Sequence, residues 1–352
     1  MKYVVKRSEM MKKYLALVLS AAMIFALGLS TVSYADESTY TVAIAKFVDD
    51  ASLNQIETAI ISELTEMSDK LGIVIEVIDK NGNADSGTLN QMAVDFVDQA
   101  VDVIVPIATP AAVIMQAATE DSQIPVVFSA VSDPEGAGLV ASNDATGSNV
   151  TGTSDALNTE AVMNLITAAN PEISRIGFLY SKSESASEKP IAEAKAFCEA
   201  NGIEYIEKSG NTADEVIQAA QALIGENVEA VFTPTDNTVM TAELNIYEDF
   251  LDAGIPHYCG ADSFALNGAF CGYGVNYADL GTATADMVVD ILVNGSDPAS
   301  TPVRMMDNGI ATVNTETAAA IGLDYSMFSN LCDEVRETVT AKEFTDIETE
   351  AE

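Results

Sequence analysis

Polar residues that can hold an ion or move a proton recur in this chain at one kind of place, directly after short runs rich in Val and Ile. Asp49 and Asp50 follow the run at 41–46, Thr109 the run at 103–107, and Ser129 and Asp133 the run at 126–128. In the second half, Ser181, Ser183 and Glu184 follow 175–180, Asp236 and Asn237 follow 230–233, and Asp262 and Ser263 follow 257–260. Singly, each is an ordinary helix N-cap, because Ser, Thr, Asp and Asn satisfy the free N–H groups of a first helical turn. Together they offer hydroxyls and helix N-termini suited to a carboxylate, beside carboxylates suited to an ammonium. That is the polarity of an amino-acid zwitterion.

The elements that must position these groups follow from the pattern. Those runs, with further ones at 73–79, 204–208 and 270–274, read as strands, and they alternate with helical spacing at 54–71, 88–100, 187–200, 213–223 and 237–251. Such alternation is the mark of βαβ units and a parallel sheet. Ligands of open parallel sheets bind beyond the carboxyl ends of the strands, where the polar residues stand.

The halves also repeat. LGIVIEVIDKNGNADSGTLNQMA at Leu71 answers NGIEYIEKSGNTADEVIQAA at Asn201, VDVIVPIATPAAVI at Val101 answers VEAVFTPTDNTVM at Val228, and QIPVVFSAVSDP at Gln123 answers GIPHYCGADSF at Gly254. Three matches in order, at an offset of about 130 residues, indicate duplication. The expected fold is α/β, with two similar doubly wound parallel-sheet lobes facing each other across a cleft.

Composition excludes several functions. The 352 residues carry 16 Lys and Arg against 54 Asp and Glu, a formal charge of -38 that repels phosphate backbones, so nucleic acid is not an expected partner. The four cysteines form no CxxC pair, and the single His257 lies inside an apolar run, where a structural histidine is the expectation. Asp79-x-Asn81-x-Asn83 opens like a calcium loop but lacks its glycine and its glutamate, so a strand followed by a turn is expected. No P-loop, GxGxxG or GxSxG motif occurs, and neither a metal nor a cofactor is expected. Cys259 and Cys271, on or beside neighbouring strands, are equally compatible with a disulfide after export or with two buried thiols.

The ends speak to location. Lys12 and Lys13 precede an apolar run at 14–29, and Ser33-Tyr34-Ala35 follows as a small-x-small cleavage site, so 1–35 reads as a secretory signal peptide. No cysteine occurs before Cys198, which removes a lipidated N-terminal cysteine. The segment 338–352 is acidic and reads as a solvated tail.

The sequence resembles the ABC-transporter substrate-binding protein family that includes tryptophan, tyrosine and phenylalanine receptors. The resemblance rests on FVDDASL at Phe47, IATPAA at Ile107, IPVVFSAVSDPEGAGLV at Ile124, NVTGTSD at Asn149, RIGFLYSKSESAS at Arg175 and VFTPTDNTV at Val231. GADSFALNGAFCGYGVNYADLGTATADMVVDIL at Gly260 resembles the family's last sheet strand and crossover helix. The resemblance covers about 40–323 and implies a type I periplasmic-binding fold with hinge crossovers. One lobe would comprise 38–150 and about 276–305, the other 151–275 and about 306–335.

It implies ligand contacts from Phe47, Thr109, Ser129, Ser181, Glu184, Ser185, Asp236, Asn237 and Asp262. Asp236 is the first candidate for the ligand's ammonium, and Phe47, Phe128 and Phe264 are candidates for an apolar pocket or for the core. Asp50 departs from the family at a position often occupied by His, as does Ala51, where Pro is usual. The implied role is an extracytoplasmic receptor, not an enzyme, that delivers an amino acid, in the first place an aromatic one, to ABC permease subunits. A sensor for a membrane signalling protein, or a receptor for a nucleoside or branched-chain amino acid, is the alternative.

Overall fold

The computed structural model describes residues 38–341, and the structural statements that follow concern those residues. The expected signal segment and nearly all of the acidic tail lie outside them. Following the chain, β1 (Thr39–Lys46), β2 (Val74–Asn81), β3 (Val103–Ile107), β4 (Val126–Phe128) and β5 (Val150–Ser154) build one sheet. Next, β6 (Arg175–Tyr180), β7 (Glu204–Ser209), β8 (Ala230–Thr233), β9 (His257–Cys259) and β10 (Cys271–Gly274) build another. The chain returns to the first sheet for β11 (Arg304–Met305), then ends in the second with β12 (Ile310–Asn314) and β13 (Glu334–Thr338).

The spatial orders, β2-β1-β3-β4-β5-β11 and β7-β6-β8-β9-β10-β12-β13, are the same through the first six positions. The repeat read from sequence is therefore a repeat of topology. Every strand pair is parallel except β10 with β12, where Cys271 faces Val313. Both faces of the central strands are covered, and β3 is buried along its whole length, which is why these strands read as unbroken apolar runs.

In the first lobe the helix Ala51–Leu71 buries Ile56, Ile60 and Leu64, one stripe at i, i+4 and i+8, and stops at Gly72 in the left-handed conformation. The helix Tyr277–Asn294 leaves the second sheet after β10 and packs on Ala51–Leu71. Gly281 permits the approach: a Cβ there would stand 2.5 Å from the Ile56 carbonyl oxygen.

Sequence and structure part at several places. No apolar run announces β5, because its residues are Val150, Thr151, Gly152, Thr153 and Ser154, all buried. The first crossover consequently falls after Ser154, not at 150. The single helix expected at 237–251 is two, Asn237–Met240 and Glu243–Ala253. At the break Thr241 Oγ1 donates back to the Thr238 carbonyl, a local bond that competes with the helical ladder. Thr338 belongs to β13 and the Ala341 N–H donates to the Leu266 carbonyl, so the chain stays on the fold past the expected start of the tail.

Asp79 and Asn81 lie in β2, which ends in a turn. All four cysteines are free thiols. His257 is buried between Glu243 Oε1, 3.1 Å from Nδ1, and Thr233 Oγ1, 2.8 Å from Nε2, the structural placement expected of it.

Candidate ligand-binding site

Both lobes and two of the crossovers meet around one small cavity of about 30 Å³, roughly the space of one water molecule. Asp50, Ser52, Leu53 and Thr109 reach it from the first lobe, and Thr235, Asp236, Asn237, Met240 and Phe264 from the second. Asp155, just after β5, and Tyr277, just after β10, supply the wall at the crossovers.

The wall is acidic, and no Lys, Arg or His belongs to it. Asp50 caps the helix Ala51–Leu71: its Oδ1 accepts from the N–H groups of Ser52 at 3.0 Å and Leu53 at 3.3 Å. Its Oδ2 is shielded from solvent and has no hydrogen-bond partner. Burial raises its pKa, against the N–H groups of its own helix start and the nearby Ser263 hydroxyl, which favour the carboxylate. Asp155 accepts from Ser132 Oγ at 2.9 Å, and its pKa is likewise raised by burial.

Asp236 is fully engaged. Its Oδ2 accepts from the Ser181 N–H and Ser187 Oγ, both at 2.7 Å, and its Oδ1 accepts from the Val239 N–H at 3.0 Å. Behind it Glu184 Oε2 accepts from Asn237 Nδ2 at 3.0 Å. Burial first, and then the Asp236 charge, push the Glu184 carboxyl up to about 7.

Asp262 is where the lobes touch. Its Oδ1 accepts from Ser52 Oγ and its Oδ2 from Gln55 Nε2 at 3.3 Å, while the Ser263 N–H donates to Ser52 Oγ at 3.2 Å. Burial pushes Asp262 up to about 6, opposed by Ser52 and Gln55 and reinforced by the charge of Asp50.

The opposite polarity comes from backbone. The helix Thr109–Ala118 starts without any side-chain cap, and Ala108 and Thr109 lie on the cavity wall. Pro110 in the first turn has no N–H, so this uncapped helix start offers an anion the N–H groups of Thr109 and Ala111 together with a partial positive charge. Ala108 at φ 79° and Ala130 at φ 54°, both on the wall, hold left-handed backbone without being glycine, a strain of about 1–3 kcal/mol each that collects at binding sites.

Of the residues expected from sequence, Thr109, Asp236 and Asn237 are on the wall, Glu184 is one hydrogen bond behind it, and Asp262 joins the lobes beside it. Ser181 holds Asp236 through its backbone N–H, and Ser185 is half-buried in the short turn Ser185–Ser187. Ser129 is spent on Thr284 Oγ1 at 2.8 Å, which also bonds Thr153 Oγ1 at 2.8 Å, and is not on the wall. Phe47 and Phe128 are packed in the first lobe's core, whereas Phe264 reaches the cavity.

Asp155, Tyr277, Ser52 and Met240 escaped the sequence reading. The first two follow the crossovers, and Asp155 becomes visible only once β5 is placed. Ser52 stands three residues after a strand-end candidate, and the FVDDASL motif was its only signal.

Two lobes of one topology, three crossings between them and a cavity at the strand carboxyl ends define a solute receptor of the type I periplasmic-binding fold. The chain belongs to the ABC transporter substrate-binding protein family, whose profile matches residues 41–332. It is 29% identical over 290 residues to a tyrosine-binding protein of Clostridioides difficile, covering 82% of this chain and 83% of the relative. An ABC domain from Streptococcus pneumonia in complex with L-Trp is 29% identical, with a TM-score of 0.78 over 85% of this chain and 100% of that one. A Clostridium difficile substrate-binding protein with adhesive properties, in its ligand-free, open form, is 30% identical, with a TM-score of 0.66 over 86% and 100%.

Proposed function

We propose that this chain is the exported receptor of an ABC importer and that it closes on an aromatic amino acid held between its lobes. The observation that carries the reading is the polarity of the cavity. A wall of buried carboxylates suits an ammonium, the uncapped start of Thr109–Ala118 suits a carboxylate, and Leu53, Met240, Phe264 and Tyr277 give a side chain apolar and aromatic surface. The L-Trp complex and the tyrosine-binding relative point to the same ligand class.

Movement of the lobes follows from size. The cavity of about 30 Å³ is far below the volume of an amino acid, so the lobes must part for a ligand to enter and stand further apart around it than they do here. At nearly equal identity, the fold is closer to the L-Trp-bound relative than to the open one, which supports a closed arrangement here. Permease subunits receive the ligand, and no chemical step is performed on it.

Calorimetric titration with L-tryptophan, L-tyrosine and L-phenylalanine, beside L-leucine and a nucleoside, tests the reading. At least one aromatic amino acid is expected to bind with a Kd of about 1 μM or tighter, corresponding to about -8 kcal/mol. The chain has no Trp of its own, so bound tryptophan also reports itself by its emission. Binding of leucine or the nucleoside, with none of the three aromatic ligands bound, overturns the ligand assignment and leaves the two-lobed receptor.

A further inference from the structure

One oxygen on the cavity wall is out of balance with its surroundings. Asp236 accepts three hydrogen bonds, Asp262 accepts from Ser52 and Gln55, Asp155 accepts from Ser132, and Glu184 accepts from Asn237. Asp50 spends Oδ1 on the first turn of its own helix and leaves Oδ2 shielded and without a partner. The Ser263 hydroxyl is a neighbouring donor that can turn to the Asp50 carboxyl and favour its charged form, but as placed it makes only a long bond to Met240 Sδ at 3.7 Å and none within hydrogen-bond distance of Oδ2. A shielded carboxylate oxygen without a donor is strongly unfavourable, and a cationic N–H donor relieves it.

We propose that Asp50 Oδ2 is the anchor for the ligand's ammonium group and makes a free amine the receptor's first requirement. The inference rests on the amino-acid reading above and deepens it, since the carboxylate first favoured from sequence, Asp236, already has its donors. It also ties recognition to closure. Asp50 caps the turn that carries Ser52, the residue that bonds Asp262 and Ser263 of the other lobe, so a cation drawn to Oδ2 lies beside the contact between lobes. Asp50 also shares the neighbourhood of the buried Tyr277 hydroxyl with Asp155 and Asp262, so a cation at Oδ2 would sit near three carboxyl groups.

The test removes the amine from the ligand and the charge from the residue, separately and together. Calorimetry compares L-tryptophan with 3-(indol-3-yl)propanoate, and L-tyrosine with 3-(4-hydroxyphenyl)propanoate, on the parent and on Asp50→Asn. Asn is an N-cap as good as Asp, so the helix start is retained, and Asp50→Ser, which also caps, serves as a second variant. On the parent, loss of the amine is expected to weaken binding about 30-fold or more, and on both variants by less than about threefold. An amine penalty that persists in full on folded Asp50→Asn and Asp50→Ser overturns the assignment to Asp50 while leaving the receptor reading intact. If neither amino acid binds the parent, the amino-acid reading itself falls, and the anchor falls with it.

Discussion

Ser52 Oγ donates to Asp262 Oδ1 and accepts from the Ser263 N–H, so that one hydroxyl on the first lobe's long helix fastens two groups of the second lobe. Gln55, three residues on, adds a bond to the other Asp262 oxygen at 3.3 Å. These contacts exist only when the lobes are together.

Ser52→Ala therefore weakens the closed form alone. It leaves a buried carboxylate oxygen and a buried N–H short of a partner, a loss of about 1–3 kcal/mol. Ligand affinity is expected to fall by roughly 5- to 150-fold, with the parting of the lobes favoured in small-angle scattering of the complex. Affinity and radius of gyration both unchanged from the parent would remove Ser52 from the closing mechanism.

Glu184 carries a pH dependence of definite sign. The folded chain holds its proton up to about 7, against an ordinary 4.5, so folding binds the proton more tightly than the unfolded chain does. Stability from this group is complete below about pH 4.5 and is lost as pH rises through about 7, by an amount on the order of 3 kcal/mol. Glu184→Gln keeps an oxygen for Asn237 and cannot ionise. Its melting temperature is expected to exceed the parent's above pH 7, with the gap closing toward pH 4. Parallel melting curves at every pH would contradict the burial of this carboxyl.

Gly281→Ala probes the packing that brings the Tyr277 helix onto the first lobe. In an open helix this change stabilises by roughly 1 kcal/mol. Here the new Cβ would stand 2.5 Å from the Ile56 carbonyl oxygen and 2.8 Å from Ala59 Cβ, so overpacking of about 1–3 kcal/mol dominates. Thermal melts are expected to show a loss of stability. A gain would mean that the two helices stand further apart.

The parts of the fold legible in the sequence are those built from apolar runs. β3, β4, β6 and β8 fall where Val, Ile and Phe cluster, because both faces of a central parallel strand are covered. β5 was hidden by chemistry of another kind: its buried threonines are satisfied by partners far along the chain, Thr151 by the Thr301 carbonyl and Thr153 by Thr284. Local pattern carries no trace of such partners. The same applies to the site. Thr109, Asp236 and Asn237 stood out as strand-end residues, but whether Asp236 serves as a cap or as a ligand contact depended on its donors, Ser181 and Ser187, 55 and 49 residues away. Asp50 was visible as a departure from the family, and its free oxygen only in three dimensions.

A structure of the complex with L-tryptophan or L-tyrosine, whichever binds more tightly, tests the central claim most directly. The account predicts electron density between the lobes, with the carboxylate at the start of the Thr109 helix, the ammonium on Asp50 Oδ2 and the ring against Met240 and Phe264. Density for the ligand outside the cleft between the lobes, or within it but with its amine turned away from every carboxylate of the wall, would contradict it.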